Sequence, residues 1–283
     1  MPPEAYRTRF APSPTGLLHL GHAFSALTAQ GRATGAGGSI LLRIEDIDAP
    51  RCKPEFDAAI FEDLRWLGLD WPEPVLRQSA RLAQYRAALD ALIAQDLCYP
   101  CRCTRRDIRA AQAAPHGPAP AYPGTCRGRP MAEAGAGDAL RLDMGRALDA
   151  AGTGLGFSES GPERAGWHPL DSTAMGRDLG DVVLARRDIG TSYHIAVIVD
   201  DAAQGITEVV RGMDLFDQTP LHRLLQALLG LPTPVWHHHR LIRDDDGQRL
   251  AKRDDARAIR HYRDDGPSPR DLRARLGLTS PGP

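Results

Sequence analysis

RFAPSPTGLLHLGH, residues 9–22, is the stretch on which the reading of this chain turns. A strand over Tyr6–Phe10 runs into the loop APSPTG, where proline and glycine end regular structure. Ala23, Ala26, Leu27 and Gln30 then fall at helical spacing, which predicts a helix over residues 21–34. A strand–loop–helix unit points free backbone N–H groups and the positive end of a helix dipole at one place, so it is suited to an anion. Gly21 lets a ligand approach the backbone, and His19 and His22, three residues apart, reach one side of the first turn as N–H donors to phosphate oxygens.

Outward from this unit the pattern alternates. GAGG at 35–38 is a turn between helix and strand, the wrong order for a dinucleotide fingerprint. Ser39–Ile44 reads as an apolar strand ending in acids. Phe56, Ile60, Leu64 and Leu67 mark a second helix, and Leu82, Tyr85, Leu89, Leu92 and Ile93 a third. Strand, helix, strand, helix implies an α/β fold with parallel pairing through crossovers. Residues 100–137 are rich in Pro, Gly, Ala, Arg and Cys and read as an irregular insertion, while 145–168 are Gly-rich and carry little signal. Regular structure resumes with DVVLARRD, SYHIAVIVDD and ITEVVRGMDL. Thr219-Pro220 offers an N-cap and first-turn proline to a leucine-rich helix, and Ser268-Pro-Arg-Asp271 caps a short last helix closed by Gly277. HHH at 237–239, upstream of an expected strand, reads as surface or core histidines rather than a metal site, and Asp244–Asp246 as a solvated turn.

With 35 basic against 36 acidic residues, net charge gives no global sign of a nucleic-acid partner, so any such partner must be recognised locally. The 42% hydrophobic content suits a globular protein, 283 residues suggest one large domain or one and a half, and no apolar run approaches membrane-spanning length. MPPEAYRTRF lacks the features of a secretory signal. Five cysteines, three of them within Cys98–Cys103, suit a metal site in a reducing cytoplasm better than a disulfide framework.

The RFAPSPTGLLHLGH stretch resembles the HIGH signature of class I aminoacyl-tRNA synthetases in the form used by the glutamyl and glutaminyl branch. RLAKR (249–253) sits where that family carries its second, lysine-bearing signature, and YHIAVIVDDAAQGITEVVRGMDL is similar to the branch's strand–turn–strand block. The resemblance implies a Rossmann-like catalytic domain with a small zinc-binding insertion and a short helical C-terminus. Its parts would be 1–98 and 138–248 as the two catalytic halves, 99–137 as the insertion, and 249–283 as the lysine loop and terminal helices. It assigns His19, Gly21, His22 and Lys252 to ATP, used with Mg2+, with Lys252 neutralising charge on the leaving pyrophosphate. RLAKR departs from the usual KMSKS at Arg249 and Ala251. Arg9, Phe10, Ala11, Pro12, Ser13, Glu45, Tyr193 and Arg211 match the glutamate positions of the branch. An arginine pairs with a carboxylate in a two-pronged way that lysine does not match.

Cys98, Cys101, Cys103 and Cys126 would by themselves furnish a four-thiolate site. The resemblance implies another set: Cys101, Cys103, Tyr122 and Cys126 match the insertion of short glutamyl-synthetase-like enzymes, with one structural zinc per chain, and Cys98 stays a competitor for Tyr122. Arg102, Arg105, Arg106, Arg109, Arg127 and Arg129 gather around it, as an RNA-binding or merely solvated face. The chain stops about thirty residues beyond Lys252. With the zinc signature, this resembles the stand-alone glutamyl-queuosine tRNA(Asp) synthetase family, implying a cytoplasmic, monomeric enzyme that binds L-glutamate, ATP and the queuosine-bearing anticodon loop of tRNA(Asp). The rival expectations are a compact synthetase charging the 3′ end of tRNA, a HIGH-type nucleotidyltransferase acting on a small metabolite, and a zinc and RNA-binding module without catalysis.

Overall fold

A computed structural model describes residues 5–104, 106–108, 121–242 and 258–278. RLAKR with Lys252, the Asp244–Asp246 turn, Arg105 and Arg109 therefore lie outside the described residues.

The first strand, β1 (Arg7–Phe10), is followed by α1 (Leu20–Gly35), β2 (Ser39–Ile44), α2 (Pro54–Trp66) and β3 (Leu76–Arg77). The three strands form a parallel sheet in the order β1-β2-β3, with Arg7 opposite Ser39 and Arg43 opposite Leu76. Parallel pairing with crossovers is thus what the alternation builds. Gly38 makes the tight return into β2 possible, because a Cβ there would stand 2.2 Å from the carbonyl oxygen of Tyr6. Ala23, Phe24, Ala26 and Leu27 of α1 are buried with Ile60, Leu64 and Leu67 against the sheet, one stripe of each helix supplying the core.

The second half contributes β6 (Gly156–Glu159), β7 (Gly166–Pro169), β9 (Glu208–Gly212) and β10 (Val235–His239) in the order β7-β6-β10-β9. β9, β10 and β6 are parallel, and β7 is antiparallel at the edge. The amide of Thr207 donates to the carbonyl of Arg7 at 2.9 Å, which sets the start of β9 beside β1. Chain order therefore reverses across β1: β2 lies on one side, β9 on the other. In open α/β sheets a ligand crevice forms at the carboxyl ends of the strands at such a reversal. α6 (Thr219–Leu228) and α4 (Met144–Ala151) pack with α3 (Leu82–Ala94) and α5 (Tyr193–Ala203) into a second core.

Three expectations need correction. SYHIAVIVDD is not a strand: Tyr193–Ala203 is helical, so the block is helix–turn–strand. A short apolar run buried on nearly all sides has no period that separates the two states. Second, Val235–His239 places the three histidines inside a strand, buried, rather than upstream of one. Third, Thr219 does not cap its helix. It is the first helical residue, after a 3₁₀ segment over Met213–Gln218, and its hydroxyl serves Arg211. The last helix, α8 (Pro269–Arg275), is capped by Ser268 and Asp271 as expected and follows α7 (Ile259–Asp264).

β4 (Cys98–Cys101), β5 (Ala139–Leu142) and β8 (Val183–Ala185) form an antiparallel sheet that carries the insertion. Beyond it the described part is mostly irregular. Asp181 stitches it to the body of the protein, accepting from Tyr99 Oη at 2.6 Å, Arg127 Nε at 2.8 Å and the amide of Met144 at 3.0 Å. Among the described residues, no helix is long and apolar enough to cross a membrane.

Candidate active site

A cleft of about 560 Å³ opens where the reversal of strand order puts it, between the ends of β1 and β9. Its wall includes Arg9, Phe10, Ala11, Pro12, Ser13, His19, Gly21, His22, Glu45, Tyr193 and Arg211, so every glutamate and phosphate position expected within the described residues meets here.

At one end stand the two histidines. His19 is the N-cap of α1, and its Nδ1 accepts from the amide of Gly21 at 3.1 Å. His22 Nδ1 accepts from the amide of His19, also at 3.1 Å. This is a capping box built from imidazoles. Because both Nδ1 atoms accept, both rings carry their proton on Nε2. The ring centroids lie 3.8 Å apart with the planes tilted by 35°, and a Cβ on residue 21 would sit 3.0 Å from the His19 ring, so Gly21 also makes room for the cap itself.

At the other end lies a buried charge cluster. Arg9 Nε and Nη2 pair with Asp201 at 2.8 and 3.2 Å, and Nη1 reaches the carbonyl of Val210 at 3.3 Å. Three of its five donors are therefore committed, leaving two N–H groups on the terminal nitrogens. Arg9 is thus available to a ligand through the end of its guanidinium rather than through its Nε edge. Arg43, fully buried, shares Asp201 at 2.8 Å and stands 3.5 Å from Glu45. Glu45 follows β2, and its amide donates to the carbonyl of Pro12 at 3.0 Å, fixing the loop against it. Burial pushes its carboxyl up from the usual range, against the pull of Arg43 and Arg9.

Arg211 differs from both. Its Nε donates to His238 Nε2 at 3.0 Å, Nη1 to His222 Nδ1 at 3.1 Å, and Nη2 to the carbonyl of Leu215 at 3.1 Å and to Thr219 Oγ1 at 2.8 Å. All four acceptors are uncharged. No carboxylate among the described residues forms an ion pair with this guanidinium, although it is 5% exposed, and burial pulls its pKa down. Tyr193 stands beside it, its phenol pushed up by burial. Asp201, Glu159, His222 and His238 were not foreseen. The acid pair Asp200-Asp201 closing an apolar run was the available signal, hidden by reading that run as a strand.

In the insertion, Cys101, Cys103 and Cys126 have their sulfurs within 4.8 Å of one another. The Tyr122 hydroxyl lies 3.5 Å from Cys101 Sγ and 3.3 Å from Cys103 Sγ. Thiolates about 2.3 Å from a tetrahedral zinc would be just under 4 Å apart, so these residues fit the metal. Burial pushes the Cys126 thiol up, but bonds from Tyr122 and the amide of Arg102 hold it down to about 7. Cys98 is not a competitor. Three positions from Cys101 along one strand, it faces the other way, into the core of α3 and α4, and burial pushes its thiol up to about 12. Of the arginines here, Arg127 is held by Asp181, and Arg129 by Asp138 and the carbonyls of Pro100 and Glu133. Arg102 and Arg106 are exposed.

The model of the catalytic domain of class I tRNA synthetases (E and Q) matches residues 5–134 and 172–281. A glutamyl-Q tRNA(Asp) synthetase of Rhodobacter capsulatus is 57% identical over 280 residues, covering 96% of this chain and 99% of that protein. One of Nocardia farcinica is 44% identical, covering 95% and 82%. Among solved structures, a glutamate-tRNA synthetase from Elizabethkingia anophelis superposes with a TM-score of 0.77 at 25% identity. A glutamate tRNA ligase from Elizabethkingia meningosepticum in complex with its amino acid superposes at 0.76 and 26%. This chain spans 61% of the length of each. The chain belongs to the class I tRNA synthetase (E and Q) family, whose members are ATP-using ligases, and within it to the glutamyl-Q tRNA(Asp) synthetases.

Proposed function

We infer that this protein activates L-glutamate with ATP and transfers the glutamyl group to queuosine at the first anticodon position of tRNA(Asp). The observation that carries the first step is the setting of Arg211. Arg9 and Arg43 share Asp201, and Arg43 stands beside Glu45, whereas Arg211 lines the cleft buried and held by uncharged acceptors, in no ion pair among the described residues. Asp200, next along α5, is already paired with Arg81. Free glutamate carries one net negative charge, glutamine none. A buried cation without a counter-ion is costly until an anion enters, so the site favours the acid over the amide. Glu45 meets the ammonium, and the ends of Arg9 and Arg211 meet the two carboxylates.

One substrate carboxylate oxygen attacks the α-phosphorus of ATP, which enters as its magnesium complex, and pyrophosphate leaves. The nucleophile is already anionic, so no general base is needed and the work is positioning and charge stabilisation. The Nε2–H groups of His19 and His22 supply donors to the phosphates, and the family resemblance gives Lys252 the leaving pyrophosphate. The adenylate's carbonyl carbon is then attacked by a hydroxyl of queuosine's cyclopentene-diol, and AMP leaves. Queuosine as acceptor rests on the relatives' identity. An unstacked loop base is also the form of RNA that a protein site most readily takes in. Cys101, Cys103, Tyr122 and Cys126 would hold a zinc ion, which supplies a cross-link to a segment poor in apolar residues.

Labelled glutamate offered with ATP and tRNA(Asp), with and without queuosine, tests the reading. Label is expected on the queuosine-bearing tRNA alone, with glutamate-dependent exchange of pyrophosphate into ATP even without tRNA. Label that persists on tRNA lacking queuosine would move the acceptor to the 3′ end, and no exchange would remove glutamate as substrate.

A further inference from the structure

Arg211 is held by two imidazole arms. A guanidinium only donates, so both rings must turn a lone pair toward it. His238, opposite Arg211 in the register of β9 and β10, accepts at Nε2 and therefore carries its proton on Nδ1, which it gives to Glu159 Oε2 at 2.5 Å. His222 accepts at Nδ1, carries its proton on Nε2, and gives it to His194 Nδ1 at 3.1 Å. One arm thus ends in a carboxylate and the other in a second neutral ring. Glu159 is fixed in turn, its Oε1 accepting from the amides of Gly161 at 2.6 Å and His238 at 2.9 Å. Glu159, His222 and His238 are all buried.

The contrast with Arg9 shows what this arrangement accomplishes. Arg9 is oriented by direct contact with Asp201, which cancels its charge. Arg211 is oriented as firmly, but the nearest anion in its network is one imidazole away. We propose that Glu159, acting through His238, and His222 are positioning residues that fix the Arg211 guanidinium with uncharged acceptors, and so make this cleft select a carboxylate over a carboxamide side chain. This rests on the reading of Arg211 as a substrate-carboxylate anchor given above. The two arms work by tautomer. Each ring must stay neutral and keep its proton on the far nitrogen, and burial, which pulls both His222 and His238 below their ordinary range, agrees with that.

Substitutions that change the tautomer or delete an acceptor without emptying the cleft give the test. In Glu159→Gln the carboxamide N–H₂ competes for His238 Nδ1 and turns its Nε2–H against Arg211. His222→Leu deletes an acceptor, whereas His222→Asn returns an oxygen close to the Nδ1 position. The full-length, metal-loaded protein would be assayed by pyrophosphate exchange with glutamate and with glutamine, and folding checked by thermal melting. Glu159→Gln and His222→Leu are expected to raise KM for glutamate about tenfold or more, as fits the loss of a hydrogen bond to a charged group. They should also narrow the glutamate-to-glutamine ratio of kcat/KM, with kcat moving much less, and His222→Asn should recover most of both. If Glu159→Gln fails to fold, the His222 pair decides alone. Arg211→Gln separates the two levels. If it raises KM for glutamate while folded Glu159→Gln and His222→Leu leave KM and the ratio unchanged, the positioning role is overturned. If Arg211→Gln itself leaves KM unchanged, the anchor reading falls and takes this proposal with it.

Discussion

His22 uses one ring nitrogen to hold the backbone of His19 and thereby aims the other at the cleft. A side chain that both caps a helix and donates to a ligand has two measurable roles, and alanine removes both. His22→Ala is expected to lower the rate of pyrophosphate exchange by about 10²-fold, the usual cost of one preorganised donor to developing charge. The accompanying loss of stability should be only about 1 kcal/mol. A drop in rate fully explained by unfolding at the assay temperature would count against the donor role. At this scale the sequence was informative where a motif or the family resemblance marks a residue: His19 and His22 stand in the quoted motif, Glu45, Tyr193 and Arg211 match positions of the family, and all five line one cleft. It was silent on Glu159 and His222, and on His238 it said only that the ring is a surface or core histidine. These act on the ligand only through Arg211, from strands and helices distant in the chain, and no local spacing marks such a residue.

The helix α5 illustrates why an element was misjudged. Ile195, Ala196, Val197 and Ile198 are consecutive and all buried, so neither a period of two nor one of 3.6 stands out. What requires the helix is its end, where Asp200 and Asp201 turn inward to different partners. Asp200 is fully buried and accepts from Arg81 at 2.6 Å, Tyr85 at 2.8 Å and Gln78 at 3.0 Å, pinning α3 to α5. Asp200→Ala strands these donors and should cost on the order of 3 kcal/mol, with a fall in Tm of about 10 °C by calorimetry. Where flanking chemistry was explicit, boundaries were readable: Ser268 and Asp271 form the reciprocal cap expected of them. Ser268→Ala should cost about 1 kcal/mol and lower Tm by about 3 °C, by the same measurement. In the insertion, Cys126→Ser should abolish bound zinc, and Cys98→Ser should retain one ion per chain by metal analysis. Parity along β4 separates those two cysteines, and parity is visible only once the strand is known.

For the whole molecule, the buried imidazoles set the response to acid. Burial holds His194 down to about 4, and pushes His222, His237, His238 and His239 below their ordinary value too. The unfolded chain therefore binds more protons than the folded one between about pH 4 and 6.5. Stability from these groups is complete above that window and is lost as pH falls through it, on the order of 3 kcal/mol for His194 alone. Asp63 acts in the opposite sense. Burial raises it to about 6 despite Arg263, so its contribution is present at low pH and lost as pH rises from about 3.8 to 6. Glu45, also raised by burial, acts in the same sense as Asp63, but five imidazoles outweigh two carboxyls, and Tm should fall continuously from pH 7 to pH 4. A flat profile would mean that these rings are protonated in place.

The parallel α/β plan followed from the alternation along the first hundred residues, because local periodicity alone builds β1-α1-β2-α2. The second half depends on pairing between segments far apart in sequence, such as β6 with β10, which no window of neighbours reveals.

One last contact reaches further than its size suggests. The amide of Ile259 donates to the carbonyl of Leu18 at 2.8 Å and Ala258 bridges to His19, while Leu241 and Ile242 line the cleft. The described chain on both sides of residues 243–257 therefore meets the turn that carries His19, so the C-terminal helices brace the end of the cleft where the two histidines stand.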